Sequence, residues 1–399
     1  MPFLTNSPDL SQTIFTETDL QNARKYLSSV IARVNTSWLK KPKGPLGKHW
    51  NSDSVYSTCF LIDIARVVYF FEQGITQRSV SLFPSKVNGI LVPPSEREFI
   101  ENLTEFQVAS ILVQHIPPLD IDPMVPDKDL LSSSNGKRPK TPDFAFQLSD
   151  CKVFLDATVL HIAALDTWDK CIDDLTSTLQ KHLRKQQRNF SINITLPFPF
   201  FGDIRDLTRV LINKIDEQPS GDMYIGSGGK IEWESMPLIV TNDSSSVFSQ
   251  FFSMSSPVAI FAPSEGSARN AFAQWHSFAT MPDEDVNKAN KLLFSSLRNT
   301  LNGKQDQMPH DQPSLLIIRL GHSQLLADRL IEKIQERIWP NPDYDWVTGI
   351  VLFTPREAFA KGDSDHCLTL CTNPEAYCPA NASLLSLFRV KTTDNGRRK

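Results

Sequence analysis

"RPKTPDFAFQLSDCKVFLDATVL" spans Arg138 to Leu160 and sets two carboxylates, Asp143 and Asp156, in a largely apolar stretch. It reads as a strand beginning at "DFAF", a short turn "QLSDC" and a second strand "KVFLDATV". Alternate residues of a strand share a face, so Phe154, Asp156 and Thr158 point one way and Val153, Leu155 and Ala157 the other. A turn this short folds the first strand back on the second as a hairpin, which brings Asp143 close to Asp156. Neighbouring carboxylates repel, and away from water they need a cation or a shared proton. Oxygen donors of this kind suit Mg²⁺ or Mn²⁺, whose octahedral shells are completed by water and substrate phosphate. A purely structural reading stands beside this one: Asp143 as a turn residue after proline, and Asp156 on the wet face of an edge strand. Phe154, on the same face as Asp156, weakens it.

Upstream, "VNGILVPPSEREFIENLTEFQVASILVQHI" reads as a short strand, a Pro-Pro break with Ser95 as cap, and a helix from about Glu96 to Gln114. A loop rich in Pro, Asp and Ser (Pro117 to Pro142) leads to the hairpin. Downstream, Leu165, Trp168, Ile172, Leu175, Leu179 and Leu183 repeat at helical spacing from about Ala164 to Gln187, and the strand "FSINITLP" follows. Further apolar runs, "MPLIVTN", "PVAIFAP", "PSLLIIRL" and "WVTGIVLFTP", are bounded by turn residues and separated by helical patterns. The expected fold class is α/β, with a central mixed sheet flanked by helices. Residues 9 to 39 and 55 to 75 have helical periodicity, with a start at Thr16 to Asp19, so an N-terminal helical region is expected over 1–92. An α/β domain over 93–390 and a basic polar tail over 391–399 complete the division. "WLKKPKGPLGKHW" (Trp38 to Trp50) reads as a loop, either solvated and anchored by its tryptophans or touching a nucleic-acid backbone.

The chain has 399 residues, 40% of them hydrophobic, and a formal charge of -4, so it is of globular composition and has no overall electrostatic pull toward nucleic acid. Six dispersed cysteines do not make a disulfide scaffold and fit a reducing compartment. The amino terminus lacks the pattern of a secretory signal, and the run "CFLIDIARVVYFF" is too short and too charged to span a bilayer. A cytoplasmic protein without a membrane span is expected. Cys367, Cys371 and Cys378 beside His366 are ordinary semi-buried thiols or, less in keeping with their spacing, a zinc site. No glycine-rich phosphate loop and no GxSxG elbow occurs, and "IGSGGK" reads as a hairpin turn. His161 reads as a hydrogen-bonded core histidine that stands close enough in sequence to approach a metal.

An acidic residue on a helix, then Pro-Asp-Phe, a hairpin, an acidic-x-x triplet closing an apolar strand, a long helix and a further strand together resemble the PD-(D/E)XK nuclease superfamily. The resemblance covers residues 95 to 196 in the order αβββαβ and implies a restriction-endonuclease-like core. It implies Asp143 and Asp156 as metal ligands with the Ala157 carbonyl, and Glu105 as the first-motif acid with Glu101 and Glu98 as substitutes. The segments "LNGKQDQMPHDQPSLLIIRL" and "TNPEAYCPA" add to it. The implied activity is Mg²⁺- or Mn²⁺-dependent hydrolysis of nucleic acid, DNA foremost, in bacterial defence or restriction. The triplet here is Asp156-Ala157-Thr158, so the usual lysine is absent. Thr158 cannot replace a cation, and Lys181 and Lys185, four apart near the end of the following helix, are the expected substitutes, with Lys152 and Lys140 near the motif strands. The same lysines also read as residues that favour a helix C-terminus. The alternative function is an inactive module that keeps the fold and binds a partner, the N-terminal helical region offering a surface. A homodimer fits a cutter of duplex DNA.

Overall fold

A computed structural model describes residues 2–11, 13–116, 118–125, 141–148, 151–186, 188–226, 228–236, 275–319, 330–356, 359 and 366–390. "MPLIVTN", apart from its Met236, lies outside them, and so do "PVAIFAP", Lys140 and the 391–399 tail. The chain forms two compact units, one of Met1–Leu160, Leu297–Ser323 and Ala327–Lys399, the other of His161–Ser296 and Gln324–Leu326. The strands are β1 (Leu119–Ile121), β2 (Phe144–Gln147), β3 (Lys152–Val159), β4 (Asn189–Thr195), β5 (Ser220–Ile225), β6 (Gly229–Met236), β7 (Trp275–Thr280), β8 (Ser314–Arg319), β9 (Gly349–Thr354), β10 (Cys367–Thr372) and β11 (Arg389–Val390).

The first unit holds a seven-stranded mixed sheet in the order β1-β2-β3-β8-β9-β10-β11. β2 is antiparallel to both β1 and β3, β3, β8 and β9 run parallel, and β10 is antiparallel to β9. β8 and β9 are buried along almost their whole length, as their continuous apolar runs require of strands covered on both faces. The N-terminal helices cover one face. Thr16 and Asp19 form a capping box at the start of the Glu17–Lys40 helix, and Ser54 caps Val55–Gly74, which places both helix starts where the sequence puts them. Phe71 packs edge-on against Phe106 at 4.8 Å and Phe144 at 5.8 Å, joining this layer to the Glu96–Leu112 helix and to β2. Residues 1–92 therefore share one core with the sheet, and the boundary expected at residue 92 falls inside a compact unit.

Three local expectations give way. "VNGIL", read as a strand, lies in the Phe83–Leu91 helix, whose proline occupies the first turn where its missing N–H costs nothing. The Trp38–Trp50 stretch contains the Gly44–Trp50 helix, and both tryptophans are buried, their rings 5.4 Å apart. They are core, not a nucleic-acid surface. Finally, β4 does not extend the sheet of β3. It pairs with β6 and β7 in the second unit's own four-stranded sheet, ordered β5-β6-β4-β7, and the parallel neighbour of β3 is β8. The β5–β6 hairpin turns through Gly226 and Gly228, both at positive φ, as expected of a turn at "IGSGGK".

Trp50 is fully buried and also packs on Phe3 at 4.9 Å, so Trp50→Ala should cost about 3–5 kcal/mol in denaturant unfolding. His49, one residue earlier, has Nδ1 3.1 Å from Ser57 Oγ and its ring 4.3 Å from that of Phe60. Burial, helped by Lys48, holds its pKa below the ordinary 6.5. Its folded value lies below its unfolded one, so this stability is complete above 6.5 and lost as pH falls through the folded value. His49→Gln should therefore lessen the fall in unfolding free energy measured from above to below that pH.

Candidate functional site

β3 is eight residues long and β2 four, and their register ends with Phe144 opposite Leu155. Asp156, Ala157, Thr158 and Val159 run on without this antiparallel neighbour. A partly buried N–H left there needs an acceptor, and Asp143 supplies it: Ala157 donates to the Asp143 carboxylate at 2.7 Å. The Asp143 carbonyl accepts from the Asp122 N–H at 3.0 Å, and Asp122 adopts a φ of +45°, which aspartate tolerates better than most residues. The hairpin that the sequence implies thus brings its two aspartates together, closed by the Leu148 N–H donating to the Cys151 carbonyl.

Asp156 forms the floor of the site, only 1% exposed. Lys304, at the end of the Asp283–Lys304 helix, places Nζ 2.5 Å from Asp156 Oδ1. The other oxygen, Oδ2, has no hydrogen-bond partner among the described residues. On the rim, Lys86 from the Phe83–Leu91 helix meets Glu105 Oε2 at 2.8 Å and Asp122 Oδ1 at 3.2 Å. The side chains of Glu105, Lys86 and Lys304 keep 16%, 19% and 24% of their surface exposed, so solvent reaches the site from their side. Glu105, Asp143 and Asp156, with Lys86 and Lys304, all belong to the first unit.

Burial raises the pKa of all three carboxyls, and mutual repulsion involving Asp143 raises Glu105 and Asp156 further, while Lys86 and Lys304 oppose the shift without cancelling it. For the two lysines burial works against the charged form, but the surrounding carboxylates outweigh it and hold both ammoniums firmly protonated.

Of the acids on the Glu96–Leu112 helix, Glu105 is the one beside Asp143. Glu101 pairs with Arg97 at 3.0 Å, and the Glu98 N–H donates to the Ser95 cap. Thr158 is half-buried, on the same side of β3 as Asp156. Lys181 and Lys185 are exposed on the Ala163–Gln186 helix of the second unit, and the ammonium that meets Asp156 is Lys304. Lys152 pairs with Asp120 at 3.1 Å at the other end of β3. His161 Nδ1 stands 3.8 Å from Asp166. His366 Nδ1 accepts from the Arg356 N–H at 2.8 Å and its Nε2 lies 3.3 Å from Asp63, while burial pushes the Cys371 thiol up to about 11. Lys86 and Lys304 were not among the sequence candidates. Lys304 does fall in the "LNGK" segment that added to the family resemblance, but nothing local marks it as a partner of Asp156.

Among the described residues, no group of three His, Cys, Asp or Glu side chains is placed to hold a metal ion by itself. The donors still fit a hard divalent cation. Asp156 Oδ2 is an orphaned buried oxygen beside a second carboxylate, and water and phosphate oxygens would supply the remaining positions. No family model, curated protein or solved structure matches the chain. Among the described residues, no helix is long and apolar enough to cross a membrane.

Removing one partner of a buried ion pair leaves a stranded charge, here partly relieved by the solvent that reaches Lys304. Lys304→Met should lower unfolding stability by roughly 1–3 kcal/mol. Adding Asp156→Asn should restore much of the loss, a coupling that a double-mutant cycle measures directly.

Proposed function

We propose that the chain is a divalent-metal-dependent nuclease of the PD-(D/E)XK kind, hydrolysing phosphodiester bonds of nucleic acid, with DNA as the expected substrate. The observation that carries this reading is Lys304 on Asp156: the cation missing at Thr158 is present in space. The topology supports it as well. If residues 161–296 are taken as an insertion, the first unit reads helix, three antiparallel strands, helix end, and a strand parallel to β3, the order of a restriction-endonuclease-like core.

On this reading Asp143 and Asp156, with the Ala157 carbonyl, would hold Mg²⁺ or Mn²⁺, and Glu105 would orient or complete the site through Asp143. When bound, such an ion polarises the scissile phosphate and lowers the pKa of a bound water. Lys304 orients the attacking water and stabilises charge developing on phosphate, the work of a preorganised cation. Thr158 at most holds a water through its hydroxyl. Lys86 keeps Glu105 and Asp122 from repelling Asp143. A role in bacterial restriction or defence, and a homodimer that cuts both strands, extend the same proposal.

One observation favours a second reading, an inactive module that binds a partner. Lys86 and Lys304 already offset much of the carboxylate charge, as they would in a site that no longer takes metal.

Incubation with plasmid, linear and single-stranded DNA in Mg²⁺ or Mn²⁺ separates the two. Cleavage should be lost in Asp156→Ala and reduced about a hundredfold in Lys304→Ala, the scale of one charge stabiliser. Equal cleavage by wild type and Asp156→Ala would mean contamination and sink the assignment. A hundredfold loss in Lys181→Ala or Lys185→Ala, with Lys304→Ala normal, would give the cation's role to the Ala163–Gln186 helix instead.

A further inference from the structure

We propose that Lys304 is an exchangeable ammonium: it caps Asp156 in the resting protein and gives the carboxylate up when a divalent cation binds, freeing its Nζ for a substrate phosphate. The destination of the freed ammonium rests on the nuclease reading. The exchange itself rests on the geometry of the pair.

A carboxylate as buried as Asp156 is costly without a counter-charge or a proton, and the protein keeps a cation against it. Lys304 does this at Oδ1, while Oδ2 is buried with no hydrogen-bond partner among the described residues. A divalent ion at Oδ2 would stand a few ångströms from that ammonium, and like charges so close in a poorly hydrated pocket repel strongly. The repulsion favours the departure of one of them. Charge balance favours the ion, because four carboxyl groups, those of Glu105, Asp122, Asp143 and Asp156, face two lysines and the ion brings two positive charges where the ammonium brought one.

Of the two lysines, Lys86 is held by both Glu105 and Asp122, whereas Asp156 alone holds Lys304 among the ion pairs of the site. Lys304 is also the last residue of its helix. Leu297 and Leu301 anchor that helix in buried positions, while the neighbouring Gly303 has open space where a Cβ would stand. A long flexible side chain at such an end can swing away without moving the core.

Calorimetric titration of Mn²⁺ into wild type and Lys304→Met, each first shown to be folded by its thermal melt, tests the exchange. Removing the competing ammonium should tighten Mn²⁺ binding by about tenfold, within the range usual for coupled sites. Unchanged or weaker affinity overturns the proposal. In the wild-type protein, acylation of Lys304 by an amine-reactive reagent, mapped by mass spectrometry, should rise when Mn²⁺ saturates the site. No rise also overturns it, and this second readout decides the matter if the variant fails to fold. Tighter Mn²⁺ binding without DNA cleavage in the wild type would keep the exchange and remove the nuclease reading. Cleavage with unchanged affinity in the variant would do the reverse, and absence of Mn²⁺ binding in both proteins would overturn both.

Discussion

The burial of Asp156 is the constraint on which the rest of the site depends. A carboxylate 1% exposed, on a strand whose neighbours Leu155 and Leu316 are wholly buried, has almost no water to stabilise it. The protein meets that cost with an ammonium at 2.5 Å and leaves the second oxygen without a hydrogen-bond partner. Such an arrangement is poorly suited to scaffold alone, because an apolar residue of similar size would pack there with no charge to compensate. Its retention makes sense if the carboxylate acts on something that comes and goes.

The surroundings follow from that charge. β2 stops short of the end of β3, so the Ala157 N–H turns to a side chain, and the side chain that reaches it is Asp143. This brings a second carboxylate against the first, and Glu105 a third, which is why Lys86 stands between Glu105 and Asp122. At the other end of the hairpin the pattern is ordinary: Asp120 accepts from Thr76 at 2.7 Å and pairs with Lys152 at 3.1 Å, and these partners hold its pKa below the usual value despite burial. The same hairpin therefore carries one relaxed acidic site and one with repelling carboxyls, and of the two only the second has a buried oxygen without a hydrogen-bond partner among the described residues.

Much of this was legible locally. The turn "QLSDC" and period-two alternation place Asp143 beside Asp156, and the Ser95 cap with its leucine and phenylalanine stripe places Glu105 on a helix packed against β3. What sequence reading could not reach is long-range pairing. The second unit's helix Ala163–Gln186 and strand β4 have the same periodicity whether they extend the first sheet or start another, so the contiguous order looked sufficient. That order puts the substitute lysine on the Ala163–Gln186 helix. Once β8 replaces β4 beside β3, the helix leading into β8 supplies the cation. Lys86 was hidden for a different reason: the Val-Asn-Gly-Ile-Leu run after it reads as a short strand but lies in the Phe83–Leu91 helix, which carries Lys86 to Glu105.

The provenance of the cation also bears on what it can do. A lysine two positions after Asp156 on the same strand would have its Cα about 6.8 Å further along, fixed by the pleat and moving only with the sheet. Such a residue can serve phosphate and can also reach a carboxylate two positions away, as Lys230 meets Glu232 at 2.6 Å on β6, but its backbone stays fixed beside that carboxylate. A lysine at the end of a separate helix approaches from outside the sheet, with its own rotamers and a solvent-facing flank. It can neutralise Asp156 when nothing else does and withdraw when something else arrives. On the proposed reading, moving the charge from strand to helix keeps the electrostatics of the site and adds a resting state, and Thr158, left on the strand, no longer needs to be charged.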